Sequence, residues 1–201
     1  VKQTSTGMYK MPSTSDVDAG KYVYVKSGKK QTSYSGLVKY DSKYWYVSKG
    51  VFQSSKTGMY KMPSGSKYVY IKSGKKATSY TGLVKYDSKY WYVKKGVYQS
   101  SATGMYKMPD GSNYNENKYV YIKKGKKATS YTGLVKYDSK YWYVSKGVFQ
   151  SSKTGIVTMP SGSTIDAKKK VYIKKGYKQY KFTGSVKLSG KTYKVTKGIV
   201  K

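Results

Sequence analysis

The chain has 201 residues, with 41 basic residues that are all Lys, only eight acidic residues, a formal net charge of +33, 27 Tyr and 21 Gly. His and Cys do not occur, which excludes disulfides, the usual zinc sites, and Ser-His-Asp or Cys-His catalysis. No apolar run of 18 residues is present, so the sequence predicts no membrane-spanning helix.

The first residues look like the end of a repeat. Val1–Gly7 (VKQTSTG) is similar to residues 51–58 (VFQSSKTG). We therefore expect the sequence to be a piece of a longer array within a larger multidomain protein. The lack of Cys suits a protein that works in oxidising surroundings, and we expect it outside the cell or on its surface.

Eight related units follow along the chain, each beginning at a glycine. They begin at Gly7, Gly36, Gly58, Gly82, Gly104, Gly133, Gly155 and Gly184. Two types alternate, one reading GLVKYDSKYWYVSKG from Gly36 and the other GMYKMPSGSKYVYIKSG from Gly58. Residues 155–201 contain two degenerate units, which we interpret as C-terminal caps of a single repeat domain that covers residues 1–201.

Each unit has the pattern of a β-hairpin. Apolar and polar residues alternate with a period of two on both sides of Asp41-Ser42 and of Pro63-Ser64-Gly65, and helix signals are missing. Longer units carry insertions at the hairpin tip, at residues 13–19 and 110–117. Because such short hairpins bury little alone, the sequence predicts an all-β, elongated β-solenoid of about eight stacked β-hairpin repeats.

The alternation gives each hairpin two different faces. With a two-residue loop at Asp41-Ser42, Trp45 lies on one face of its hairpin, and Tyr44 and Tyr46 lie on the other. In the two degenerate units the tryptophan-side positions stay apolar, whereas the tyrosine-side positions become largely polar. Since a cap keeps its packing face and can lose a binding face, we predict that the tryptophan side packs and the tyrosine side binds a ligand.

This assignment gives the candidate binding residues. They are Tyr22, Tyr24, Tyr44, Tyr46, Tyr68, Tyr70, Tyr90, Tyr92, Tyr119, Tyr121, Tyr141, Tyr143, Lys39, Lys85 and Lys136, with Trp45, Trp91 and Trp142 as secondary candidates. A tyrosine ring can stack on the apolar C–H side of a pyranose while its phenol and nearby Lys form hydrogen bonds. A row at regular steps favours a polymeric ligand, because many weak contacts add up to avidity.

The unit from Gly36 to Gly50, repeated over essentially the whole chain, resembles the choline-binding and related cell-wall-binding repeats of Gram-positive surface proteins, including those of clostridial toxins. The resemblance implies a β-solenoid in which ligands bind between successive hairpins against aromatic rings. Its aromatic ligand positions fall on Leu37, Leu83 and Leu134, on Tyr44, Tyr90 and Tyr141, and on Tyr46, Tyr92 and Tyr143. Because Leu replaces the first aromatic and the chain is strongly cationic, choline itself is not the expected ligand.

Two functions of different classes remain open at this point. The first is a non-catalytic carbohydrate-binding module for a plant cell-wall glucan such as cellulose or for a bacterial cell-wall glycopolymer. The alternative is a structural stalk or adhesin segment that binds protein or anionic surfaces by charge. A binder should expose coplanar tyrosines at a regular spacing, whereas a stalk should bury both aromatic faces or leave them irregular.

Other functions have weaker support in the sequence. The acidic residues sit in turns or insertions, and Asp41, Asp87 and Asp138 are one turn residue repeated three times, so we predict no catalysis. No metal site and no cofactor are predicted. The absence of Arg argues against specific nucleic-acid recognition, although non-specific adsorption to DNA at low salt is expected.

Overall fold

The computed structural model describes residues 5–62, 65 and 67–201, and all of the regular structure in them is β-strand. The strands are β1 Gly7–Lys10, β2 Tyr22–Lys26, β3 Lys29–Lys30, β4 Gly36–Tyr40, β5 Lys43–Ser48, β6 Val51–Phe52, β7 Gly58–Lys61, β8 Tyr68–Lys72, β9 Lys75–Lys76, β10 Gly82–Tyr86, β11 Lys89–Lys94, β12 Val97–Tyr98, β13 Gly104–Lys107, β14 Tyr119–Lys123, β15 Lys126–Lys127, β16 Gly133–Tyr137, β17 Lys140–Ser145, β18 Val148–Phe149, β19 Gly155–Thr158, β20 Lys170–Lys174, β21 Tyr177–Lys178, β22 Gly184–Leu188, β23 Lys191–Thr196 and β24 Ile199–Val200. They form eight antiparallel hairpins, each followed by a short third strand, which confirms the predicted all-β stack of repeats.

The short third strand joins each hairpin to its neighbour. Strand β6 pairs with β5 of its own hairpin and, through Val51 opposite Val23, with β2 of the preceding hairpin. The same arrangement recurs along the chain, for example where β9 meets β5 at Lys75 opposite Trp45. All 24 strands therefore belong to one hydrogen-bonded network.

Tight turns set the register. Tyr40 lies opposite Lys43, so Asp41 and Ser42 form the predicted two-residue loop, and both have positive φ, as a type I′ turn requires. The tip predicted at Pro63-Ser64-Gly65 lies largely outside the described residues, as does most of the segment Val1–Gly7.

The second turn of each unit lies close to the backbone of the hairpin before it. Gly50 has φ +72°, and a Cβ atom placed on it would lie 2.6 Å from the carbonyl oxygen of Gln31. A Cβ atom placed on Gly96 would lie 2.7 Å from the carbonyl oxygen of Ala77, and one placed on Gly74 would lie 2.5 Å from that of Gln53. Since real Cβ atoms do not come so near to a carbonyl oxygen, only glycine fits at this turn.

Both faces of the hairpins pack, so the predicted division into a packing face and a free face is wrong. On one side, Val38, Trp45 and Val47 of the second hairpin pack on Met8 of the first. On the other side, the fourth hairpin packs on the fifth, with Leu83 and Tyr92 against Met108, Val120 and Ile122. The reason is the stacking itself, because an inner hairpin has a neighbour on each side and must bury apolar surface against both.

The eighth hairpin has a more polar surface. The side chains of Ser185, Lys187, Thr192 and Lys194 are exposed, on the face that corresponds to the tyrosine face of the second, fourth and sixth hairpins. This polar face is compatible with the predicted capping role.

Three hairpins carry long tips, and the tips of the fifth and seventh hairpins fold back on the hairpin before them. The long tips are residues 12–21, 109–118 and 160–169. The corresponding tip of the third hairpin is shorter and consists of residues 63–67. In the second long tip, Ser112 Oγ accepts a hydrogen bond from the buried backbone N–H of Leu83 at 3.1 Å. Ser163 Oγ accepts from Leu134 in the same way at 3.2 Å, so the tips add polar contacts between hairpins.

Candidate functional site

The three tryptophans form the centres of aromatic clusters between hairpins. The Trp45 ring lies 5.0 Å from Tyr22, 5.3 Å from Tyr40 and 4.3 Å from Phe52, measured between centroids. The ammonium of Lys75 lies 4.3 Å from the Trp45 ring centroid. Trp91 and Trp142 have corresponding neighbours, namely Tyr68, Tyr86, Tyr98 and Lys126 for Trp91, and Tyr119, Tyr137, Phe149 and Tyr177 for Trp142. All three tryptophans are buried, which agrees with their assignment to a packing face.

The predicted binding tyrosines are mostly packed between hairpins. Tyr70 and Tyr92 are only 4% and 6% exposed. The rings of neighbouring tyrosines are tilted, by 35° between Tyr46 and Tyr60 and by 58° between Tyr70 and Tyr80. Most of the candidate tyrosines are therefore partly or fully buried and do not form the exposed row expected of a flat binding surface.

Three of the predicted tyrosines lie under a lysine of the next hairpin. The ammonium of Lys76 is 5.5 Å from the Tyr44 ring centroid, that of Lys127 is 5.5 Å from Tyr90, and that of Lys178 is 5.6 Å from Tyr141. We call these three contacts the Lys–Tyr pairs. They occupy the same place in the second, fourth and sixth hairpins and have nearly the same geometry.

A second lysine lies beside each of these tyrosines. The predicted residues Lys39, Lys85 and Lys136 are exposed and lie directly across the hairpin from Tyr44, Tyr90 and Tyr141. The structure thus brings one ammonium group near the ring in each of three hairpins and places a second lysine opposite the same tyrosine in the strand register. Such a site combines an aromatic surface with concentrated positive charge.

Acidic and amide side chains of the long tips engage some lysines. Asp18 forms an ion pair with Lys30, and Asp166 forms one with Lys178. At the corresponding position of the fifth hairpin, Asn115 Oδ1 accepts a hydrogen bond from Lys127 at 2.8 Å. Among the residues that the structure describes, no group of three His, Cys, Asp or Glu could hold a metal ion. The same residues include no helix that is long and apolar enough to cross a membrane.

A cavity of about 520 Å³ lies near the C-terminal end of the stack. Its lining includes the aromatic residues Tyr177, Tyr180 and Phe182 and the cationic residues Lys140, Lys178 and Lys181. The ammonium of Lys140 lies 5.0 Å from the Tyr177 ring centroid. The degenerate units therefore keep an aromatic and cationic surface, although their tyrosine-side positions are largely polar.

Burial changes the titration of several tyrosines. It raises the pKa of the phenols of Tyr80 and Tyr92, and nearby phenols add to the effect. At Tyr80, hydrogen bonds from Asn113 and Ser112 oppose the increase in pKa but are smaller causes. These phenols remain neutral to higher pH in the folded chain than in the unfolded chain.

This difference predicts a loss of stability in alkali. The unfolded chain loses its phenolic protons first, near pH ~10, so the stabilisation is fully present below that pH and is lost as pH rises through the folded pKa values. We expect the urea midpoint to fall between about pH 9 and about pH 11, and to fall less for Tyr92→Phe, because that variant has one phenol fewer to titrate. The variant is needed because lysines also lose charge in this range. Equal pH dependence of the two proteins would contradict the assignment.

Sequence reasoning missed half of each Lys–Tyr pair. Lys76, Lys127 and Lys178 follow the second turn of their units, where we assigned no function. A signal was present, because lysine recurs at this position: Lys76 follows Ser-Gly-Lys in the third unit, and Lys127 follows Lys-Gly-Lys in the fifth. It could not be used without knowing that this short strand lies against the preceding hairpin.

Three of the hairpins match a known family of repeats. Residues 33–51, 79–97 and 130–148, which contain the second, fourth and sixth hairpins, match the family model of the choline-binding repeat. The resemblance predicted from the sequence is confirmed for these segments. No curated protein sequence matches the chain.

Solved structures of three proteins from Streptococcus pneumoniae are similar to the chain. Choline binding protein F is 18% identical with a TM-score of 0.43, and the match covers 100% of this chain and 66% of that one. CbpJ of strain TIGR4 is 18% identical with a TM-score of 0.42, covering 98% of this chain and 64% of that one. The modular autolysin LytC is 19% identical with a TM-score of 0.27, covering 90% of this chain and 44% of that one. The chain therefore spans less than two thirds of the length of choline binding protein F and of CbpJ, and a smaller part of LytC.

Proposed function

We propose that the chain is a non-catalytic module of an extracellular, cell-surface bacterial protein and that it binds an anionic glycopolymer of the Gram-positive cell wall. The observation that carries this proposal is the recurrence of the Lys–Tyr pairs with nearly the same geometry in three hairpins. The same three hairpins match the choline-binding repeat.

The chemistry of the pairs suits a charged sugar polymer. The phenol ring offers a face for the C–H side of a pyranose, and the ammonium group beside it offers donors to phosphate or carboxylate oxygens. A single contact of this kind is weak. The pair at Tyr44, whose ring is 38% exposed, and the other exposed lysines of the same stack let a polymer make several contacts at once, which raises the overall affinity without new contacts at each site.

The C-terminal cavity supports the same ligand class. Its volume of about 520 Å³ is within the usual range for small-molecule sites. Three lysines and three aromatic residues in its lining match the composition of the Lys–Tyr pairs. A sugar unit carrying a negative charge would meet the same groups here as along the stack.

Cellulose is less well supported than a wall glycopolymer. Binding to a flat crystalline glucan needs a row of exposed rings, whereas Tyr70 and Tyr92 of the predicted row are almost fully buried. A neutral glucan would also gain nothing from a formal charge of +33.

A structural stalk is the second candidate, and one observation favours it. Both faces of the inner hairpins are packed, as the stalk hypothesis predicts, with Tyr70 and Tyr92 almost fully buried. In this case the lysines would keep the surface soluble and prevent association through strand edges.

Retention on cell walls distinguishes these functions. The protein would be mixed with intact Gram-positive walls, with walls from which anionic glycopolymers have been extracted by acid, and with cellulose. We expect retention on intact walls alone. The triple variant Lys76→Gln, Lys127→Gln and Lys178→Gln should lose most of this retention, because it removes one donor from each pair.

The control has the same change in net charge. The triple variant Lys49→Gln, Lys95→Gln and Lys146→Gln alters exposed turn lysines and should be retained like the natural chain. Equal losses in the two variants would reduce the function to diffuse charge, equal retention on extracted walls would exclude an anionic ligand, and no retention at all would favour the stalk.

A further inference from the structure

The long tip of the fifth hairpin covers a groove on the fourth hairpin through three successive residues. Asn113 donates from its backbone N–H to the phenol oxygen of Tyr80 at 3.1 Å and from its amide to that of Tyr70 at 3.3 Å. The Tyr114 ring lies 4.9 Å from the Tyr90 ring at an interplanar angle of 70°. Asn115 accepts a hydrogen bond from Lys127.

The long tip of the seventh hairpin makes matching contacts on the sixth. The Thr164 hydroxyl lies 3.0 Å from the Tyr131 hydroxyl. Ile165 packs against the cluster that contains Leu134, and Asp166 pairs with Lys178. The tips thus supply a polar group to a phenol, a side chain to the middle of the groove, and an acceptor to a lysine.

The third hairpin has no counterpart of residues 113–117. On the second hairpin, which precedes it, the equivalent groove is more open. Tyr34 and Tyr44 are 37% and 38% exposed, and Leu37 is partly exposed, whereas Leu83 and Leu134 are 0% exposed. Among the described residues no carboxylate forms an ion pair with Lys76.

We propose that the groove formed by Tyr34, Leu37, Tyr44 and Lys76 is a binding subsite for an anionic pyranose, such as a sugar phosphate, whose contacts the long tips reproduce internally on the later hairpins. This inference rests on the proposed wall-binding function and locates one subsite within it. The pyranose ring takes the place of Tyr114 on Tyr44, and a sugar hydroxyl takes the place of Asn113 on the Tyr34 phenol. A charged oxygen takes the place of Asn115 on Lys76.

The tips themselves indicate that the acceptor on this lysine is anionic. Three long tips place a side chain on the equivalent lysine, and two of the three, Asp18 on Lys30 and Asp166 on Lys178, use a carboxylate. Because charged acceptors form the stronger hydrogen bonds with an ammonium, a phosphate or carboxylate oxygen is the matching group on a ligand.

The chain offers a simple local probe of this groove. It contains four leucines, Leu37, Leu83, Leu134 and Leu188, one in each even-numbered hairpin. Labelling with ¹⁵N-leucine therefore gives four amide signals, which single Leu→Met variants assign. We expect titration with N-acetylglucosamine 6-phosphate to shift the Leu37 signal and to leave the Leu83, Leu134 and Leu188 signals in place.

Variants and further ligands test whether the shift of the Leu37 signal arises from the proposed contacts. Inserting the sequence of residues 113–117 between Ser66 and Lys67 should abolish the Leu37 shift by supplying the missing tip. Lys76→Gln should weaken sugar phosphate binding at least about tenfold. Tyr34→Phe should also weaken it, whereas Tyr80→Phe, at an already covered groove, should not. N-acetylglucosamine and inorganic phosphate should each bind more weakly than the sugar phosphate.

Each outcome decides between the two proposals. Equal shifts of Leu37, Leu83 and Leu134 would overturn the selective subsite, and so would an unmoved Leu37 signal in a protein that is retained on walls. A Leu37 shift in a protein that walls do not retain would support the subsite and overturn the wall-binding function. A shift that inorganic phosphate alone reproduces would show an anion site without sugar recognition and would contradict the inference.

Discussion

Trp91→Ala is expected to lower the free energy of unfolding by about 3–5 kcal/mol. Trp91 is 7% exposed and lies at the centre of a cluster that joins the third and fourth hairpins. Its ring contacts Tyr68, Tyr86 and Tyr98. Removing it leaves a large cavity between hairpins, and the ammonium of Lys126 loses its position 4.7 Å from the indole centroid.

Urea unfolding followed by circular dichroism measures this loss. Because a stack of repeats can unfold in sections, the transition should broaden as well as move to lower urea concentration. Tyr44→Ala is the matched control, since Tyr44 is 38% exposed, and we expect it to cost about 1 kcal/mol or less. A Trp91→Ala effect as small as that of the control would mean that the clusters do not hold the hairpins together.

The affinity for wall glycopolymer is expected to fall by about 10²–10³-fold when NaCl is raised tenfold, for example from about 0.05 to about 0.5 M. Each ammonium that contacts a charged group of the polymer releases counterions, and about three ammonium groups engaged together, Lys76 among them, give a slope near this size. Calorimetric titration with purified polymer fragments at several salt concentrations measures the slope.

The lysine variants separate local contacts from general charge. The triple variant of Lys76, Lys127 and Lys178 should reduce the slope, whereas the variant of Lys49, Lys95 and Lys146 should change it little. An affinity that does not depend on salt would contradict an anionic ligand and would indicate neutral sugar recognition through the aromatic rings.

The local part of the fold could be predicted from the sequence. The glycine positions mark the units, and Asp41-Ser42 fixes a two-residue turn, from which the pairing of Val38 with Trp45 follows directly. These features depend on residues that are near each other in the chain. Pattern and turn chemistry therefore suffice to predict them.

Contacts between hairpins could not be predicted in the same way. Sequence reasoning treated Tyr44 and Tyr70 as one free surface, whereas Tyr44 lies beneath Lys76 and Tyr70 is buried against the next hairpin. The choice between the two faces assumed that only one of them packs, which holds for a single layer but not for a stack. The groove beneath Asn113 depends on how a tip folds back over the preceding hairpin, and no pattern within one unit records that.

The glycine at the second turn of each unit has a consequence for the range of ligands. Gly50 and Gly96 approach the carbonyl oxygens of Gln31 and Ala77 so closely that the step from one hairpin to the next is set by main-chain contact. Exchanging surface side chains can therefore change what each Lys–Tyr pair binds without changing how far apart the pairs lie. The main chain therefore fixes the distance from one hairpin to the next, and a polymer contacts lysines of several hairpins at once when its charged groups recur at a matching interval.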